Sequence, residues 1–147
     1  MPETIVVGTD GSESASRAVG EAARLAKALD AELHVVSAFE PLRDANIEGA
    51  PEGAAKVWAP LPDSQVQAIL SETKSRLATQ QLKATTHAVR AHPADPLLEV
   101  ATEVGADMIV VGSRGMHGTR RFALGNVPNK VSHRARCNVL IVATEAA

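Results

Sequence analysis

DMIVVG (107–112) is a short apolar run set between DPLLEVATEVG (95–105) and the glycine-spaced segment GSRGMHGTRRFALGN (112–126). Its apolar residues are consecutive, not alternating, so the strand they form has to be covered on both faces, as strands of parallel sheets are. TIVVG (4–8) and NVLIVA (138–143) read the same way, and each is set off by turn-forming or polar residues. Between these runs the pattern changes to helical spacing. Ala15, Ala18, Val19, Ala22, Leu25, Ala26 and Leu29 mark one helix face, and Val66, Leu70, Thr73 and Leu77 mark a second, starting near Asp63 or Ser64 as N-cap. ELHVVSAF (32–39) is a second strand, and TTHAVRA (85–91) alternates weakly, as an edge strand does. In DPLLEVATEVG, Pro96 suits the first turn of a helix and Gly105 its C-terminal cap.

Five strands alternating with four helices define an open, doubly wound α/β fold on a parallel sheet. At 147 residues, one domain spanning 1–147 is expected. A proline-rich segment at 40–62 has no periodicity and is unusually long for a loop inside one domain. In such sheets, ligands bind beyond the carboxyl ends of the strands, where the strand order reverses.

Charge places the ligand more narrowly. The net charge is −2, yet residues 112–136 carry Arg114, Arg120, Arg121, Lys130, Arg134 and Arg136 without a single acid. The remainder of the chain holds nine basic against seventeen acidic residues. The basic segment also contains Gly112, Gly115 and Gly125 in the pattern G-x-x-G-x9-G, followed by a helix start near Asn126 or Val127. Glycine permits close approach to the backbone, and a helix N-terminus presents unpaired N–H groups to an anion. Neither the P-loop nor the Rossmann glycine pattern is present. Three glycines also serve as plain turns; the added positive charge favours a phosphate.

VVGTDGS (6–12), GADMIVVGSRG (105–115), the G-x-x-G-x9-G loop and VLIV (139–142) occur in the order found in the universal stress protein family, which this chain resembles over residues 4–143. The resemblance is to the ATP-binding branch and implies its nucleotide-binding, α-hydrolase-like fold. It also implies a site in which Asp10 faces the ribose, Val35 offers main-chain hydrogen bonds to the adenine edge and Gly112 lies against the ribose. Gly115, Gly125, Asn126 and Val127 would hold phosphates through their amides, and Arg114, His117, Arg120 and Arg121 are candidate charge partners. Asn126 departs from the family's usual Ser or Thr, which opens the choice among ATP, AMP and cyclic AMP. Any Mg would be held mainly by the phosphates. Relatives dimerise through the last strand, so a homodimer through 138–143 is implied.

Other residues have plainer roles. Asp10 and Glu13 have the spacing of a capping box, and Ser12 reads as a helix-start residue with no histidine near it in sequence to activate it. His34 lies in an apolar strand and reads as a satisfied core side chain; His87, His92 and His133 have no metal-ligand spacing. Cys137 reads as a small, half-buried residue, and Trp58 covers either the site or a helix. Residues 108–144 hold no Asp or Glu, so ligand holding is favoured over ATP hydrolysis. The expectation is a cytoplasmic stress-response sensor or ligand reservoir; the competing readings are a dimeric scaffold without nucleotide and a slow ATPase. Binding of nucleic acid or membrane is disfavoured by the acidic balance, the three scattered aromatic residues and the lack of a long apolar run.

Overall fold

A computed structural model describes residues 3–39, 63–90, 94–113 and 130–143 of the chain. The strands are β1 (Thr4–Gly8), β2 (Glu32–Phe39), β3 (Ala84–Arg90), β4 (Met108–Gly112) and β5 (Asn138–Val142). The helices between them are α1 (Glu13–Leu29), α2 (Asp63–Ala78) and α3 (Ala94–Val104), and residues 130–134 are helical ahead of β5. All four strand pairings are parallel, in the order β3-β2-β1-β4-β5. This is the doubly wound α/β arrangement expected from the alternation of strand and helix patterns.

The uninterrupted apolar runs have a direct physical cause. In β1, Ile5 and Val7 face a layer formed by Ala18, Val19, Ala22, Ala23 and Ala26 of α1 with Val66, Leu70 and Leu77 of α2. Val6 faces the opposite way, into Leu97, Val100 and Ala101 of α3 and Val131. All three β1 residues are completely buried. In β4, Ile109 and Val111 pack on the α3 side and Val110 on the α1–α2 side. Side chains that alternate between two covered faces leave no position for a polar residue.

Helix ends follow local chemistry. Asp30 stops α1 in the left-handed region at φ 53°, its N–H bonding the carbonyls of Ala26 and Lys27. Gly105 stops α3 at φ 65°, and Pro96 sits in the first turn of that helix, both as expected. Asp63 is itself the first helical residue of α2.

Two expectations are corrected. Leu29, assigned to the buried face of α1, is 44% exposed at the last residue of the helix. β5 is not covered on both faces: Ile141 is 47% exposed, and the rest of the strand is half-buried or exposed. It is an edge strand paired only with β4, and the helix layers reach it only at their margin. Among the described residues no helix is long and apolar enough to cross a membrane.

His34 is buried, as expected of a core side chain, and its partner is another histidine. His34 Nδ1 lies 2.9 Å from His87 Nε2 on the neighbouring strand, with Glu32 Oε1 3.6 Å from His34 Nε2. One ring must donate and the other accept, so the bond requires at least one neutral imidazole. Burial, and then the charge of His34, hold the His87 pKa below the ordinary histidine value, against a smaller upward pull from Glu103. The folded state therefore favours neutral His87 relative to the unfolded chain. That contribution to stability is present above the ordinary value of about 6.5 and is lost as pH falls through the lowered folded value. Urea midpoints measured from about pH 7 to about pH 5 should drop, and His87→Gln should flatten that drop; an equal pH dependence in both proteins would remove the pair as its source.

Candidate functional site

The sheet's topology creates the crevice. From β1 the chain builds outward through β2 to β3, then crosses to the other side of β1 to lay down β4 and β5. Helix α1, which follows β1, lies on one face of the sheet and Val131, the next described core residue after β4, on the other, and the carboxyl ends of these two strands are the ligand position of this fold class. Thr9 and Gly112 each lie two residues past the last paired residues of the two strands, Val7 and Val110.

On the β1 side, the turn Thr9–Ser12 is tied by side chains. Thr9 N–H donates to the Val36 carbonyl at 2.9 Å, extending the β1–β2 contact beyond the strand. Thr9 Oγ1 accepts from Gly11 N–H at 3.1 Å, and Asp10 Oδ1 accepts from Ser12 N–H at 2.9 Å. Ser12 then caps α1, its Oγ accepting from Ala15 N–H at 3.0 Å. The capping box read from Asp10 and Glu13 is thus corrected: Ser12 is the cap, because Gly11 at φ 81° turns the chain once more before α1 begins at Glu13. Glu13 instead lies 3.8 Å from Arg17. Asp10 is half-buried, with one carboxylate oxygen committed to the turn and the other making no hydrogen bond among the described residues.

On the β4 side, Gly112 is half-buried and paired with Val142, and Ser113 N–H donates to the Val142 carbonyl at 2.8 Å. Asp10 and Gly112 are therefore brought to the same rim, at the ends of adjacent strands. Val35 is not on that rim. It is fully buried and paired with Val7 on one side and Thr86 on the other, so its amide and carbonyl belong to the ladder. Arg114, Gly115, Gly125, Asn126 and Val127 lie outside the described residues, as do His117, Arg120, Arg121 and Trp58.

A groove starts at Thr9 and Gly11 and runs away from the rim between α1 and α2, past Ile69, Thr73 and Arg76. Its far end carries the Glu72–Arg76 ion pair at 2.8 Å, an exposed pair within one helix. No group of three or more His, Cys, Asp or Glu side chains is placed to hold a metal among the described residues. Cys137 is half-buried beside the amino end of β5, and burial, followed by Asp107, raises its thiol pKa. A raised pKa keeps the thiol protonated and weakly nucleophilic.

The fold and rim define a doubly wound α/β protein with a crevice at its switch point. The universal stress protein family model matches residues 1–143, and the chain belongs to that family. Among its relatives, universal stress protein Rv1636 of Mycobacterium tuberculosis is 39% identical over 147 residues, covering 97% of each chain. Universal stress protein YxiE of Bacillus subtilis is 33% identical over 147 residues, covering 97% of this chain and 99% of its own. A crystal structure of a universal stress protein in complex with cAMP has a TM-score of 0.73 and 34% identity, covering 97% of this chain and 98% of that one.

The Gly11 turn yields a test independent of any ligand. A Cβ at Gly11 would lie 2.7 Å from Ile69 Cδ1, on a backbone at φ 81° that side chains rarely adopt. Gly11→Ala should lower unfolding free energy by about 1–3 kcal/mol in urea titrations. Trimming Ile69 to Ala in that background should not recover wild-type stability, because the backbone strain persists; full recovery would assign the whole cost to the clash.

Proposed function

We propose that this chain binds an adenine nucleotide across the ends of β1 and β4 and acts in stress response as a sensor or ligand reservoir, not as an enzyme. The observation that carries the reading is the cAMP complex of a 34%-identical protein that aligns over 97% of this chain. The rim supports it: Asp10, in the turn after β1, has a carboxylate oxygen to offer a ribose hydroxyl, and Gly112 lies at the end of the adjacent strand. The amides of Gly115, Gly125, Asn126 and Val127 would take the phosphate, with Arg114 balancing its charge. Asn126, in place of a hydroxyl residue, favours a short anion such as AMP or cyclic AMP over ATP.

Hydrolysis would need carboxylates for a metal and a base to position water. Residues 108–144 supply neither Asp nor Glu, which leaves Asp10 as the acid at this rim among the described residues. Mg, where present, would ride mainly on the phosphates. β5 offers an edge with Ile141 exposed, suited to a symmetric homodimer formed strand to strand. A second reading, a dimeric scaffold that has lost its nucleotide, is favoured by Asn126 alone.

Calorimetry with ATP, AMP and cyclic AMP separates the two. Binding of at least one is expected, weakened about tenfold or more by Asp10→Ala through loss of a charged hydrogen bond. Silence toward all three in wild type, with ATP binding gained in Asn126→Ser, would establish the scaffold instead.

A further inference from the structure

We infer that His34 and His87 together bind a divalent metal ion of the zinc class, at a site separate from the rim and independent of the nucleotide reading. Their spacing in sequence gives no sign of it; the strand register brings them together. His34 is paired with Val6 on β1 and Thr85 on β3, and His87 is paired with Val36. The two rings therefore meet along a diagonal between β2 and β3, in mid-strand. Alternation along β2 puts His34 on the same face as Val36, the face that α3 packs against.

His34 Nδ1 and His87 Nε2 point at one another 2.9 Å apart, with the ring centroids 5.1 Å apart. Two ring nitrogens that face each other in this way can share a proton or a cation. Two imidazoles on one tetrahedral ion, at about 2.0–2.1 Å each, have nitrogens about 3.3 Å apart and centroids about 5.2 Å apart. The centroid spacing of the pair already matches. A tilt of the rings opens the nitrogens by about 0.4 Å without moving either strand.

The flanking carboxylates favour the same use. Glu32 Oε1 lies 3.6 Å from His34 Nε2, which favours the ring proton on that nitrogen and leaves the Nδ1 lone pair toward His87. A carboxylate behind the non-coordinating nitrogen is the usual support of a metal-binding histidine. His87 frees its Nε2 by carrying its proton on Nδ1 instead. The hydrogen-bonded pair is thus the metal-free form, and the ion takes the place of the shared proton. Glu103 of α3 also acts on His87 as a negative charge, and the two carboxylates favour a dication. The approach is from the β3 edge, where His87 is half-buried and Thr85 and Glu32 are exposed.

The donor set decides the ion. Imidazole nitrogen suits Zn, Cu and Ni, whereas Mg and Ca take oxygen ligands. No third His, Cys, Asp or Glu converges on the pair among the described residues, so water completes the shell. Two protein ligands and open positions make the ion exchangeable, unlike the closed four-ligand sites that hold a fold together.

Calorimetry on the full chain, freed of metal by a chelator, with zinc chloride and magnesium chloride tests the site. Zinc should bind at about one ion per chain, and magnesium should give no heat. His34→Gln and His87→Gln should each weaken zinc binding about tenfold or more. His133→Gln, on an exposed residue outside the pair, should leave it unchanged. Should the buried His34→Gln variant not fold, His87→Gln on the edge strand decides. Nitrogen NMR of the imidazoles reads the geometry directly, and a merely structural pair would not respond: zinc should shift His34 Nδ1 and His87 Nε2. No zinc binding up to about 1 mM, or binding in His87→Gln within about threefold of wild type, overturns the site. So do zinc shifts confined to other histidines.

Discussion

The whole arrangement depends on burying β1 and β4 on both faces at once. Ile5, Val6 and Val7 are fully buried, with neighbours in opposite helix layers. A parallel pair buried in this way needs helices above and below, and the connections must depart to opposite sides. The gap at the carboxyl ends of β1 and β4 is a consequence of that requirement. Hydrophobic burial thus stabilises the sheet and positions the crevice in one step.

Close packing continues to the rim. A Cβ at Gly8, the last residue of β1, would come within 3.1 Å of the Leu97 side chain, and one at Gly11 would meet Ile69. The first contact lies on the α3 side and the second on the α2 side, so the turn carrying Asp10 is held from both layers. Thr9, Asp10 and Ser12 each place a side-chain oxygen on a backbone amide two or three residues ahead. A carboxylate oriented by such a network loses little further freedom when a ligand arrives.

Most of the architecture could be read from residue order, for identifiable reasons. TIVVG, ELHVVSAF and DMIVVG matched their strands because β-branched runs bounded by turn residues have few alternatives. Gly105 and Pro96 marked the ends of α3 because their backbone restrictions are intrinsic. Asp10 and Gly112 lie at the ends of adjacent strands because T-D-G follows β1 and V-V-G closes β4. The errors arose where neighbours decide. The exposure of β5 depends on being at an edge, which an apolar run cannot announce. The capping role moved from Asp10 to Ser12 because of one left-handed glycine.

Residue order alone determined the family, the alternation of strands and helices, and the concentration of positive charge and glycine after β4. Each of these follows from local patterns of side chain and backbone preference. Only the tertiary structure showed that His34 meets His87, that Val35 is sealed within the ladder, and that the Ser37 hydroxyl is buried without a partner. Those facts belong to pairs of strands distant in sequence. The register between them is set by the packing of the whole sheet against two helix layers, and no single segment encodes it.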